Sequence, residues 1–266
     1  MRLSKFNLST SLRGGVLSRR SNDVSWSCFA VVALCFLTYC APAQPALVVS
    51  AASDLQNAFT ELGAAFENET GAHIAFNFGS SGLLAQQIAQ GAPVDLFASA
   101  NRAYVDDLAA RGIIFSDSVR VYARGRIVLL ARDATVQSLA DLARADIARI
   151  AIANPEHAPY GVAAREAMQN AGVWQTVQTK MALAENIQQA KQYFDTGNVD
   201  AAIIAQSLVR DDPRAILIPQ ELYRPLDQAI GVVKNSRNEK TARAFADYII
   251  SARGRAVLQK FGFEIP

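Results

Sequence analysis

Sulfhydryl and imidazole groups are scarce in this chain of 266 residues, which has three cysteines and two histidines. Cys28, Cys35 and Cys40 all precede residue 43, so the rest of the chain can form neither a disulfide nor a thiolate metal centre. The histidines, His73 and His157, are far apart in sequence. The acid pairs Asp106-Asp107 and Asp211-Asp212 read as ordinary solvated faces, so no metal centre of side-chain ligands is expected. A strong charge of one sign is missing too. The formal net charge is +2, but residues 1–43 hold five of the 26 Lys and Arg and one of the 24 Asp and Glu. The remainder is therefore slightly acidic, at −2, and carries no basic patch, which excludes a nucleic-acid-binding protein. The most apolar run, "CFAVVALCFLTYC" (Cys28–Cys40), is too short for a convincing membrane span.

What the N-terminus does contain is a basic stretch (Arg2, Lys5, Arg13, Arg19, Arg20), that short apolar core, and Ala41-Pro42-Ala43, a small-x-small sequence. This is the pattern of a secretory signal peptide over residues 1–43, and it implies export to the periplasm. Bulky Tyr39 before Cys40 argues against a lipid-anchored cysteine, and Asn22-Asp23 after Arg19-Arg20 argues against twin-arginine export.

From Leu47 the pattern is strand followed by helix, repeated. "LVVSA", "HIAFNF" and "VDLFASA" read as strands, and Leu55, Ala58, Phe59, Leu62 and Phe66 fall on one helical face between the first two. "RIVLLA", "RIAIA", "AAIIA", "AILIP" and "AIGVV" continue the strands, with helices over about 163–171, 187–194 and 241–251. The fold class is therefore α/β, with two mostly parallel sheets flanked by helices. Ligands of such sheets sit at the carboxyl ends of the strands.

Four strand-to-helix turns attract attention there: "SAASDLQNAF" with Ser53, "NFGSSGLLA" with Ser81, "IANPEHAPYGVAA" with Tyr160, and "LAENIQQAKQYF" with Ile187. Each leaves N–H groups unpaired at a helix start, and several converging starts would hold an anion without a cation. Taken singly, Ser53 and Ser81 read more simply as N-caps, and Asp54 as a first-turn acid that faces solvent or caps its helix.

The strings "SAASDLQNAFTELGAAFENETG", "FGSSGLLAQQIAQGAPVDLFASAN" and "IANPEHAPYGVAAREAMQNAGVW", with the closing "FADYIISARGRAVLQKFGFEIP", resemble the periplasmic molybdate-binding proteins that feed an ABC-type importer. The resemblance implies a two-lobed periplasmic binding protein of the second topological type, with the ligand between the lobes. One lobe would comprise 47–123 plus 226–266, and the other 124–225. It further implies a monomer, no cofactor, an ABC permease as partner, and molybdate or tungstate as ligand. Molybdenum would be held only as the oxyanion, by Ser53, Ser81, Tyr160 and Ile187. One position departs from the family: where a tyrosine hydroxyl is usual, "AAIIA" ends in Ala205. The family's tyrosine-bearing variants point to the Tyr160 hydroxyl as the substitute, reaching the ligand from the opposite side.

Fully ionised molybdate has acceptors and no donor, so a pocket of hydroxyls and N–H groups complements it. Sulfate meets the same description and is the alternative ligand. An exported serine hydrolase is the distant alternative, but "GSSG" is not the G-x-S-x-G elbow, and His73 lies at the wrong end of its strand. A ligand-sensing regulator would need a DNA-binding helix-turn-helix where the signal peptide stands.

Overall fold

A computed structural model describes residues 46–266. The expectations for the signal peptide and for Cys40 lie outside the described residues. The first strand, β1 (Leu47–Ala52), is buried on both faces, as its run of apolar and small residues requires. It leads through a 3-10 turn, Ser53–Leu55, into α1 (Gln56–Thr70), which buries Ala58, Phe59, Leu62 and Phe66 and stops at Gly71 in the left-handed conformation. Then come β2 (Ile74–Gly79), α2 (Ser81–Ala89), β3 (Leu96–Ser99), α3 (Arg102–Ala110) and β4 (Arg120–Gly125).

After the single residue Arg126 the chain enters a second sheet. Its elements are β5 (Ile127–Ala131), β6 (Ile150–Ala153), α4 (Pro159–Asn170), α5 (Trp174–Val177), β7 (Met181–Ala184), α6 (Ile187–Asp195), β8 (Ala201–Ala205) and β9 (Ile216–Leu217). The chain then returns through β10 (Leu226–Val232) to the first sheet, and ends in α7 (Glu239–Ile250) and α8 (Ala252–Lys260).

The strand orders are β2-β1-β3-β10-β4 and β7-β6-β8-β5-β9. In the first sheet β1 pairs in parallel with β2 and β3, while β10 is antiparallel to β3 and β4. The second sheet repeats this: β6 is parallel to β7 and β8, and β5 antiparallel to β8 and β9. The antiparallel strands are those that carry the chain between the sheets. The parallel part, where ligand-binding turns form, is built by the strand–helix units.

Differences from the sequence pattern have local causes. Ile74, Phe76 and Phe78 do alternate in phase, because β2 is an edge strand with one covered face. Expected over "AILIP", β9 has two residues and pairs only with β5, since Pro219 has no N–H for a ladder. Charged β4 and short β7 gave no apolar run to read; β7 pairs along its whole length with β6, and β4 pairs with β10 through a bulge at Tyr122. Phe59 and Phe245 pack edge-on at a centroid distance of 6.3 Å, and Phe66 lies 5.1 Å from Phe245, fastening α1 to the returning α7.

In the second sheet Gly161 lets α4 approach the end of β6. A Cβ there would collide with the Ala153 carbonyl and the Pro155 nitrogen, both backbone and unable to yield. Gly161→Ala is therefore expected to lower stability by about 2 kcal/mol or more, read as a reduced denaturant midpoint at an unchanged slope.

Candidate functional site

All four turns singled out in the sequence reach one small cavity at the carboxyl ends of β1, β2, β6 and β7. It is lined by Ser53, Asp54, Ser81, Ala100, Tyr160 and Ile187, among others, and is small. A larger depression at the amino ends of β1 and β3 surrounds Asp95, but that carboxylate already accepts from Val48 N, Ser236 Oγ and Asn238 Nδ2. Size therefore does not decide between them; unspent donors do.

The capping explanation of the serines does not hold. Ser53 is the first residue of its 3-10 turn and Ser81 the first of α2; the cap positions are Ala52 and Ser80, and neither side chain makes a capping bond. Ser81 Oγ accepts from Ala100 N–H at 3.0 Å, so its own proton remains to be donated elsewhere. The α4 start has Pro159 as its first residue and no side-chain cap, with Tyr160 next. At α6, Asn186 Oδ1 caps Gln189 N–H, which leaves the N–H of Ile187 at the helix mouth. No Lys, Arg or His lines the cavity.

Asp54 corrects the sequence reading. Instead of facing solvent or capping a helix it is 1% exposed and lines the cavity. Its Oδ2 accepts from Tyr160 Oη at 2.9 Å and from Gln228 Nε2 at 2.6 Å, while Oδ1 is buried without a partner. Gln228 Oε1 in turn accepts from Tyr122 Oη at 2.9 Å, and Ser207 Oγ donates to the Asp54 carbonyl at 2.8 Å. Burial pushes the Asp54 carboxyl up to about 6; the hydrogen bonds from Gln228, Tyr160 and its own backbone N–H pull the other way and do not compensate. Burial, with the Asp54 charge second, likewise lifts the Tyr160 and Tyr122 hydroxyls well above the usual tyrosine range.

The Tyr160 hydroxyl is thus turned to Asp54 rather than held free as a spare donor. Ala205 is fully buried in β8 opposite Ile127 and does not line the cavity. The signal that could have found the network is Asp54 itself: an acid directly after an apolar strand, with Tyr122 and Gln228 in strands that pair beside it.

The two sheets also meet directly. The His157 carbonyl accepts from Ser80 Oγ at 2.6 Å and Gly82 N–H at 3.0 Å, and His157 Nδ1 lies 3.0 Å from Ser80 Oγ. His157 thus holds Ser80, which lines the cavity beside Ser53 and Ser81. A Cβ on Gly82 would stand 2.6 Å from the His157 carbonyl oxygen, so only glycine permits the approach.

Residues 47–264 match the family described as bacterial extracellular solute-binding protein. This chain belongs to that family. Among its relatives it is 32% identical over 220 residues to the molybdate-binding protein ModA of Rhodobacter capsulatus, covering 82% of this chain and 87% of the relative. It is 30% identical to a putative ABC transporter substrate-binding lipoprotein of Bacillus subtilis, with 82% and 85% covered. A solved structure of the Azotobacter vinelandii periplasmic molybdate-binding protein superposes with a TM-score of 0.79 at 25% identity, covering 83% of this chain and 99% of that one. Family members of this kind bind solutes and are not enzymes.

The raised carboxyl has a consequence for stability. Well below pH 4 Asp54 is protonated in the folded and unfolded chain alike, and its burial costs little. Between about pH 4 and 6 the unfolded chain ionises it while the buried carboxyl keeps its proton, so stability falls as pH rises, and above about pH 6 the loss levels off at about 3 kcal/mol. Asp54→Asn is expected to raise the unliganded melting temperature near about pH 7.5 by several degrees, with the gain shrinking toward pH 5; scanning calorimetry at both pH values reads it.

Proposed function

We propose that this protein captures molybdate, and tungstate with it, between two lobes and delivers the anion to the membrane permease of an ABC importer. The observation that carries this reading is the cavity that gathers the Ser53 and Ser81 turns and the starts of α4 and α6 with no cationic side chain. A ligand with acceptors only is the complement of such a set. The names of the relatives support the choice of molybdate among oxyanions.

In this reading the lobes are 47–123 with 226–266, and 124–225, each holding one sheet. The donors would be the Ser53 and Ser81 hydroxyls and backbone N–H groups, with the Tyr160 and Ile187 N–H groups from the other lobe. Binding begins on one lobe; closure brings the helix starts of the other to the anion, and the permease reads the closed form. The protein acts as a monomer, exported by a cleaved segment over residues 1–43. No cofactor takes part. Sulfate is set aside by the relatives rather than by hydrogen-bond chemistry, so it belongs in the test.

Titration calorimetry with molybdate, tungstate, sulfate and phosphate should show tight binding of the first two and little heat from the others; a preference for sulfate or phosphate would refute the ligand assignment. Ser81→Ala removes one donor to a charged acceptor and should weaken molybdate binding roughly 10- to 100-fold; it also takes the acceptor from the buried Ala100 N–H, so the free protein should still fold but melt several degrees lower. Unchanged affinity would remove Ser81 from the site. Gly82→Ala, at the contact between the sheets, should also lower affinity, about tenfold or more, through hindered closure; small-angle scattering with saturating molybdate should then report a more open particle than wild type.

A further inference from the structure

One group lining the cavity has no place in a pocket made of donors. Asp54 is an acid, buried, among neutral neighbours, and the site is meant to receive a dianion. Both donors that reach its side chain, Tyr160 Oη and Gln228 Nε2, converge on Oδ2. Oδ1 is buried and receives none. A carboxylate in the ionised state seeks donors at both oxygens, and leaving one bare is costly. A protonated carboxyl, in contrast, has the arrangement observed: Oδ2 as the accepting carbonyl oxygen, and Oδ1 as a hydroxyl in need of an acceptor.

The titratable groups that face Asp54 are Tyr160 from α4 and Tyr122 from β4, with Tyr223 beyond Tyr160. Its other partners, Gln228 from β10 and Ser207 after β8, are neutral. No Lys, Arg or His lines the cavity beside Asp54; His157 stands behind the lining Ser80, its Nδ1 3.0 Å from the Ser80 Oγ. An ionised Asp54 would therefore repel the anion, through a medium that screens poorly.

We propose that Asp54 holds a proton on Oδ1 whenever the closed site contains its anion and offers that O–H to an anion oxygen, so that capture of one dianion takes up one proton from solution. The inference rests on the oxyanion reading above. It makes Asp54 a ligand-facing donor and supplies the one for which Ala205 has no hydroxyl. The proton comes from bulk water on closure, joins Oδ1, and returns on opening; no bond in the anion is made or broken. An empty cavity at neutral pH leaves Asp54 preferring ionisation and hydration, which favours the open form. Anion and proton together favour the closed one.

The test is titration of molybdate into the full protein at several pH values, each in two buffers of widely different ionisation enthalpy. The observed heat should vary with buffer by an amount equal to about one proton taken up per anion, and affinity should fall about tenfold per pH unit across roughly pH 6.5–8.5. Asp54→Asn keeps an acceptor for Tyr160 and Gln228 and an N–H donor in place of the hydroxyl, so its binding should be independent of pH and buffer. Wild-type binding with buffer-independent heat and a flat pH profile would overturn the inference and leave the molybdate reading intact. Failure of wild type to bind molybdate at every pH would overturn both. The wild-type measurement decides without the variant, should Asp54→Asn fold poorly.

Discussion

Unpaired N–H groups at helix starts are the constraint on which this structure turns. Every strand-to-helix unit generates them, and a fold that brings four such turns to one point concentrates donors that the protein itself does not consume. The cleft is the place where the backbone's unmet hydrogen bonding is collected, and an anion satisfies it without a buried cation. Serine suits these positions because its hydroxyl can accept from the protein and donate to the guest, as Ser81 does in taking the Ala100 N–H. Glycine suits Gly82 and Gly161 because helix starts must come within contact of other backbone.

Two tyrosines, a glutamine and an aspartate then tie this mouth to the point where the chain crosses between sheets. Tyr122 is on β4, just before the crossing, and Gln228 on β10, just after the return. Tyr160 reaches them from α4, in the second sheet's half. One buried carboxyl is therefore bonded to a crossing strand, β10, and to α4 of the second sheet's half, and it lines the cavity as well.

Much of this was legible in the residues. Apolar runs such as those of β1, β6 and β8, and the helical face of α1, follow from burial on one or both faces, and periodicity reports burial. Ser53, Ser81, Tyr160 and Ile187 were legible as a set because the turns share a position relative to their strands and their strings resemble a known family. Less visible were β4 and β7, whose pairing depends on neighbours distant in sequence. Asp54 was misjudged for the same reason. A first-turn acid is ordinarily solvated, and what buries this one comes from Tyr160 and Gln228, more than one hundred residues away. Local rules see a residue's own turn; they do not see what the rest of the chain lays over it.

The strand order carries an implication for how the polypeptide is assembled as it emerges end-first. In the first sheet β10 lies between β3 and β4, so that sheet has a gap in its middle until residue 232 has appeared. The strands of the second sheet all fall within residues 127–217 and need nothing from either terminus. Completion is therefore inside-out: the middle of the chain can reach its native pairing while the earlier half waits, unsealed, for the last segment. The last strand to appear is thus the one that seals the sheet begun by the first.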